Sequence, residues 1–413
     1  MGLDMAYVFL LGLPLVGWLL WWWNEIWFVT AIKAKCSSMN IKMFPVTWDF
    51  LSLGKCSHFY GTLKYCVVLI HKYGENVGAY RNYMYGSPRI LVCSPSLSKL
   101  ILNLPDKFKQ AWPTIEALGS NSLMSLKGTH HDRVKSLLMN AINHPHALAC
   151  IVVHVQPTIV HALQSWAQKG KIIALDELKK VTLLNMGRYF ASLDFGPQLH
   201  SIEHMLFAIT QGFRAQPAKI PGSAYRYAVK CRTKFKSIMR VELEKRKQQN
   251  ENAKEAKDLM DQLMQMKDEG GKNLTDEEVL DNIVSSIHVG NISTAYLSTW
   301  ALYFVAKDPN VLHKLREENM ELAKEKKDLF ITCEDVLKLK YTNKIRPRVG
   351  TYYAFGGGWK SCPGNMLVRL QRVILLHHLL IGYKWEVLNP DVKVRYLSHP
   401  LPADGLQLLV SEI

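Results

Sequence analysis

Ten residues constrain this chain more than any other stretch: FGGGWKSCPG, from Phe355 to Gly364. Three consecutive glycines admit backbone turns closed to other residues, and they stand ahead of a single cysteine and a Pro-Gly pair. A phosphate-cradling loop would need glycine directly before Lys-Ser, but Trp359 intervenes and the pattern fails. A catalytic thiol would need a partnered base, and no obvious one stands nearby. A thiolate metal ligand fits better. Glycines turn backbone N–H groups toward the sulfur, and Pro363 suits the first position of a following helix whose positive end favours an anion. Each effect lowers a thiol pKa. The sequel NMLVRLQRVILLHHLLIG reads as a buried helix, apolar at Leu367, Leu370, Val373 and Ile374 and stopping at Gly382. A cysteine on so narrow a loop suits a flat macrocycle lying against it, which is the chemistry of haem-thiolate iron.

The rest of the chain is compatible with a large globular body. Its 413 residues are 48% hydrophobic and 21% charged, enough to bury an extensive core. The eight cysteines form no C-x-x-C pair, so neither a zinc ribbon nor a disulfide-stapled framework is expected, and a cytosol-facing environment fits. From Met5 to Trp23 an uncharged run, MAYVFLLGLPLVGWLLWWW, is long enough to cross a bilayer. Its three terminal tryptophans suit the headgroup level, and Lys33, Lys35 and Lys42 follow it, which predicts a retained single-pass anchor with the body on the cytoplasmic side. The net charge of +16 calls for an acidic partner or an anionic lipid surface. Acids and bases are intermixed in residues 241–272, with little to bury beyond Leu259, Met260, Leu263 and Met266, so that stretch is expected to be a solvated helix and connection rather than a nucleic-acid stripe. Short strand signals lie within 73–95. Thr275 and Glu278 form a T-x-x-E capping box that opens a helix of about thirty residues, and Asp308-Pro309 open the next.

Phe355, Gly358, Cys362 and Gly364 stand as in the F-x-x-G-x-x-x-C-x-G signature, and on these residues the chain resembles the cytochrome P450 monooxygenases. Its C-terminal third, including CPGNM and LAKEKKDLFITCEDVLKLKYTNK, looks most like the plant ent-kaurenoic acid oxidase and β-amyrin 11-oxidase branch. The resemblance implies a mainly α fold with a small β-rich region, organised as an N-terminal anchor over 1–30 and a haem-thiolate monooxygenase domain over 31–413. It implies Cys362 as the axial ligand of a haem iron. Val289 to Thr294 match the segment that lies over the haem in the family, which makes Gly290, Ser293 and Thr294 the expected oxygen site, with Gly290 letting the helix open. Lys360 takes the place of an arginine that reaches a haem propionate, and His131 and Lys135 in GTHHDRVKSLL occupy other propionate-partner positions. The expected partners are NADPH-cytochrome P450 reductase, a hydrophobic terpenoid and membrane lipid, with no nucleic acid. The expected location is the endoplasmic reticulum membrane.

Two departures stand against this. Ile292 occupies the position where the family carries an acid that helps relay protons. Lys344 is followed by IRPRVGTYYAFGGG, where the family has a Glu-x-x-Arg helix and a meander, so on the order of 80 residues are expected to be missing near 344–346. An inactive, truncated family member with impaired haem binding is therefore the alternative expectation.

Overall fold

The structure is a computed structural model that describes residues 12, 14, 16, 79–84, 87–92, 94–104 and 114–413 apart from 195, 216, 250–255, 327, 344–354 and 398. Residues 12, 14 and 16 are helical, and the remainder of the expected anchor lies outside the described residues. The chain divides into two compact units, residues 1–102 with 396–399, and the remaining residues.

In the first unit, strands β1 (Ala79–Met84) and β2 (Ser87–Val92) pair antiparallel, from Ala79 opposite Val92 to Met84 opposite Ser87. This is where the alternating aromatic and branched residues predicted strands. Helix α1 follows (Pro95–Leu102).

The second unit is mainly helical. In chain order it contains α2 (Ile115–Leu118), α3 (Gly128–Asn143), α4 (Pro145–Lys169), strand β3 (Lys171–Ile173), α5 (Ala174–Ala191), α6 (Leu199–Arg214), α7 (Ala224–Gln249), α8 (Leu259–Gln265) and α9 (Asp276–Lys307). Then come α10 (Pro309–Glu325), α11 (Cys333–Lys338), α12 (Lys340–Asn343), α13 (Asn365–Gly382) and strands β4 (Tyr383–Val387) and β7 (Gln407–Glu412), while β5 (Val394–Leu397) and β6 (His399–Pro402) share residues 396–399 with the first unit. Strand β7 lies between β3 and β4, antiparallel to both, and β5 pairs with β6.

Helix α9 is the axis of the unit, packed against α5, α7, α10 and α13. Its start is fixed as the sequence predicts: the Thr275 side chain accepts from the Glu278 N–H, and Glu278 accepts in return from the Thr275 N–H at 2.8 Å. Such a cap is worth about 1 kcal/mol. Here it is also tied to α3, because Arg133 Nη1 donates to Glu278 at 2.9 Å and His130 Nε2 lies 2.6 Å from the same oxygen. These contacts hold the Glu278 carboxyl down at about 2 against the opposing effect of burial. Asp308 caps α10 by accepting from the N–H groups of Asn310 and Val311, with Pro309 at its first position, again as predicted.

Two local expectations need correction. Pro363 does not open α13; Gly364 is its N-cap and Asn365 its first residue, so the proline sits one place outside. The 241–272 stretch is not simply solvated. Leu259, Met260 and Leu263 of α8 are buried as that reading allows, but Arg246 is buried too, with Asp258 at 2.7 Å and Asp261 at 2.8 Å from its Nη1. Mixed charge along a helix is usually a solvated face; here one arginine instead ends inside, neutralised by two carboxylates 12 and 15 residues further along the chain.

Helix α4 is long and apolar enough to cross a membrane by length and composition, but it packs against α5 and α13 and buries Ile151, Val155, Leu163 and Trp166, as a core helix does.

Candidate functional site

The loop ahead of α13 is wound tightly. The Cys362 N–H donates to the Phe355 carbonyl at 2.8 Å, closing a ring over the glycines, and the Ser361 N–H donates to Gly358 at 3.2 Å. Gly356 and Gly358 have φ of +67° and +57°, the left-handed region that favours glycine, and a Cβ on Gly356 would come within 3.1 Å of the Lys360 carbonyl. A larger residue would reopen the turn that sets the sulfur's position.

Helix α3 holds this loop from the side. Lys135 Nζ donates to the Trp359 carbonyl at 2.6 Å and to Ser361 Oγ at 3.0 Å, and Asn143 Nδ2 donates to the Pro363 carbonyl at 3.3 Å. Lys360 reaches back to the Leu126 carbonyl at 3.5 Å, just before α3, and its ammonium lies 4.6 Å from the centre of the Trp359 ring. The His131 ring meets Trp359 edge to face with centroids 5.3 Å apart. His131 is only 1% exposed, so its place is inside the site and not at the solvated surface. At the other end of the loop Phe355 lies under the Arg369 guanidinium, 5.4 Å from it. The fold therefore brings His131, Lys135, Phe355, Gly358, Lys360, Cys362 and Gly364 to one place. Sequence reasoning singled out all of these but treated Trp359 only as the residue that breaks a phosphate loop. Its contacts reach more than two hundred residues back along the chain, and the only available signal was an aromatic beside a basic residue in a glycine loop.

Electrostatically the cradle is cationic. Burial pushes the Lys360 ammonium down to about 8, with Lys135 nearby adding to the effect, and burial likewise lowers Lys135 and His131. Asp132 is the carboxylate that opposes them, and its side chain is largely exposed. The Cys362 thiol corrects the sequence reading. Burial raises its pKa, and that outweighs the Gly364 N–H and the Lys135 charge, which pull it down. The surrounding groups thus oppose desolvation without overcoming it, and a metal would have to displace the thiol proton.

On α9 the expected oxygen site divides between two faces. A Cβ on Gly290 would stand 2.7 Å from Met186 Sδ and 3.4 Å from Phe190 on α5, so Gly290 serves a close helix approach, and its open side does not face away from α5. Asn291 faces the same way, with Thr182 Oγ1 2.6 Å from its Oδ1. Thr294, one turn on from Gly290, is 1% exposed and its hydroxyl has no partner among the described residues. Ser293 lies on the opposite, open face with Val289, and its hydroxyl donates to the Val289 carbonyl at 2.7 Å. Of the three residues, Ser293 alone presents its side chain to the open face. Ile292 is half-buried, and no acid occupies its position.

A haem fits what the loop provides. Its carboxylates would supply the anions that three gathered bases lack, and Cys362 keeps an exposed side from which a metal can approach.

Residues 42–345 match the cytochrome P450 family. The chain belongs to the cytochrome P450 family. The matched range covers the body through α12 and stops ten residues before Phe355, so the cysteine loop stands as independent agreement with it. Among curated P450 relatives, ent-kaurenoic acid oxidase 1 of Arabidopsis thaliana is 26% identical over 413 residues, covering 83% of this chain and 84% of the relative. The 7,8-epoxymelianol synthase CYP88A154 of Ailanthus altissima is also 26% identical, over 454 residues, covering 92% of this chain and 91% of the relative. The P450 fold is matched by a solved structure, retinoic acid-bound cyanobacterial CYP120A1, at a TM-score of 0.78, covering 90% of this chain and 99% of that one at 16% identity.

Proposed function

We propose that this P450 is a membrane-anchored monooxygenase of a diterpene or triterpene, with Cys362 as the thiolate ligand of its haem. The observation that carries the reading is the convergence of Lys135, Lys360 and His131 on the loop that presents Cys362. Curated relatives that oxidise terpenoids support the substrate class. Neither the fold nor the relatives favour the alternative of an inactive remnant. A haem with a thiolate ligand supplies activation of dioxygen and insertion of one oxygen atom into a C–H bond.

The chain's own groups have definite tasks around it. Lys135, Lys360 and His131 would bind the carboxylates of the macrocycle, and the ring closed by the Cys362 N–H and the Phe355 carbonyl fixes the sulfur's direction. Ser293 gives its hydroxyl proton to the Val289 carbonyl, so its oxygen lone pairs face the open side as acceptors. With Ile292 in the acid position, proton delivery there falls to water, which the Ser293 oxygen can orient as an acceptor. Electrons would come from NADPH-cytochrome P450 reductase, whose acidic surface would complement part of the net charge of +16. The anchor over residues 5–23 would place the body on the cytosolic side of the endoplasmic reticulum.

An internal segment is also proposed to be missing after Lys344. The alignment with the Arabidopsis relative is 413 positions long and holds 83% of this chain, about 343 residues, so about 70 of its positions pair with no residue of this chain. That total is close in size to the segment proposed to be absent between Lys344 and the cysteine loop.

Reconstitution with reductase, NADPH and a panel of di- and triterpenes tests the reading. A product heavier by one oxygen atom, formed only with NADPH and lost in Cys362→Ala, is expected; haem-loaded protein that turns over none of the panel would overturn the substrate class.

A further inference from the structure

Helices α6 and α7 are pressed together at Gly212, where a Cβ would collide with Ala228. Toward the start of α6 a groove of about 620 Å³ runs between residues 197–205 and 227–234, within the usual size of a small-molecule site. Its floor is apolar, with Met205 and Cys231 buried beneath it. Tyr227 stands on one wall, half in solvent, with its ring edge-on to His204 at 6.2 Å between centroids.

Four basic side chains line the groove, His200 and His204 from α6 and Lys230 and Lys234 from α7, and no carboxylate joins them among the described residues. Glu203 lies 3.9 Å from His200 Nδ1, outside the lining, where Lys179 and Lys180 also attract it. Elsewhere α7 pairs its cations. Arg232, Lys236, Arg240, Arg246 and Lys247 each meet a carboxylate. Lys230 and Lys234 are exposed, and among the described residues neither has an ion pair or a side-chain hydrogen bond. They stand one turn apart on one face of the helix, a spacing at which like charges repel. An anion between them would relieve that repulsion.

We propose that this groove is a phosphate-binding site that takes the phosphomonoester group of its ligand between the two lysines and the two histidines. Such a group brings nearly two negative charges at neutral pH and three strong acceptor oxygens. Lysine binds phosphate as a point charge, whereas paired recognition of a planar carboxylate calls for the arginine fork, and no arginine lines the groove. Each imidazole adds an N–H donor from the opposite wall in either charge state. The apolar floor at Met205 takes the carbon atoms next to the ester oxygen. The same chemistry serves a free phosphate and a phosphate-headed lipid, and the test separates the two.

The test is isothermal titration calorimetry of the purified full chain in non-ionic detergent at constant ionic strength. Its probes are inorganic phosphate, dihexanoyl phosphatidic acid and, as the diester control, dihexanoyl phosphatidylcholine. Phosphatidic acid, or phosphate as well, is expected to bind saturably, and the double variant Lys230→Gln with Lys234→Gln to weaken that binding at least tenfold. Both side chains are exposed, so the variant keeps the core intact, which circular dichroism checks. Lys314→Gln with Lys384→Gln removes two exposed charges elsewhere and is expected to leave binding unchanged. Phosphatidic acid bound at least tenfold more tightly than phosphate assigns the site to a lipid headgroup, and equal affinity assigns it to the free anion. Three results overturn the proposal: no saturable binding of either phosphate probe, binding that the Lys230–Lys234 variant retains, or an equal loss in the control variant. Phosphatidylcholine bound as tightly as phosphatidic acid overturns it too.

Discussion

At the residue scale, Lys135 links the two halves of the site. It is the cation that crosses from α3 to the cysteine loop, giving one proton to a carbonyl and another to Ser361. Hydrogen bonds from a charged donor contribute about 1.5–3 kcal/mol each way they are measured. Lys135→Met is therefore expected to loosen the loop by about 2 kcal/mol, seen as a clear fall in haem-to-protein ratio with little change in far-ultraviolet circular dichroism. A variant that keeps full haem content would show that the loop holds without α3. Gly290 gives a second expectation. Its alanine variant has to push Met186 aside, and overpacking of this kind costs about 1–3 kcal/mol. Urea denaturation should show that loss, and Met186→Ala should restore part of it by making space. If Gly290→Ala is neutral, the close approach of α9 and α5 is not tight. The spacing around Cys362 made the ligand legible in the sequence, and His131, Lys135 and Lys360 came with it. The split of Gly290 and Thr294 from Ser293 was not legible, because neighbouring residues of a helix point about 100° apart and only the packing partners show which way is open.

At the scale of elements, α13 is held by polar groups in a dry interior. His378 Nε2 lies 3.0 Å from Gln156 Oε1, and Gln156 also pairs with both the N–H and the carbonyl of Ile331. His377 Nδ1 lies 3.0 Å from Asn319 Oδ1, and Asn319 Nδ2 donates to Thr342 of α12 at 3.0 Å. Glu318 accepts from the N–H groups of Tyr341 and Thr342, so α10 carries α12 and α13 together just ahead of the cysteine loop. Burial pushes His377 down to about 4 and His378 down to about 3. Both values lie below the ordinary 6.5, so the unfolded chain binds these protons first as pH falls. Stability is then full above about 6.5 and declines by about 1.4 kcal/mol per histidine for each pH unit below it, until each folded-state value is reached. Urea midpoints at pH 7 and pH 5 should differ strongly in the unaltered chain and less in His378→Gln. Equal pH slopes for the two would contradict the neutral buried assignment. Helix starts with a capping signal, α9 and α10, could be read from the sequence because their determinants are local. The charge-dense stretch from the end of α7 onward was misread at Arg246, because the burial of Arg246 depends on carboxylates that only the fold brings to it.

At the scale of the whole molecule, the larger unit has a continuous apolar core running from Trp166 and Leu163 through Phe235 and Ile287 to Val373 and Leu380, with α9 through its middle. The strands flank it: Trp385 Nε1 donates to the Leu302 carbonyl at 3.2 Å and Trp300 Nε1 to the Pro400 carbonyl at 2.8 Å, fixing α9 to the chain after α13. The P450 fold is therefore built independently of the segment proposed to be absent after Lys344. The central claim reduces to whether Cys362 meets haem iron as a thiolate, and the reduced, carbon monoxide-bound difference spectrum of the haem-supplied full chain tests it most directly. The account predicts a band at about 450 nm that disappears in Cys362→Ala; unaltered protein without that band, or an alanine variant that retains it, would contradict it.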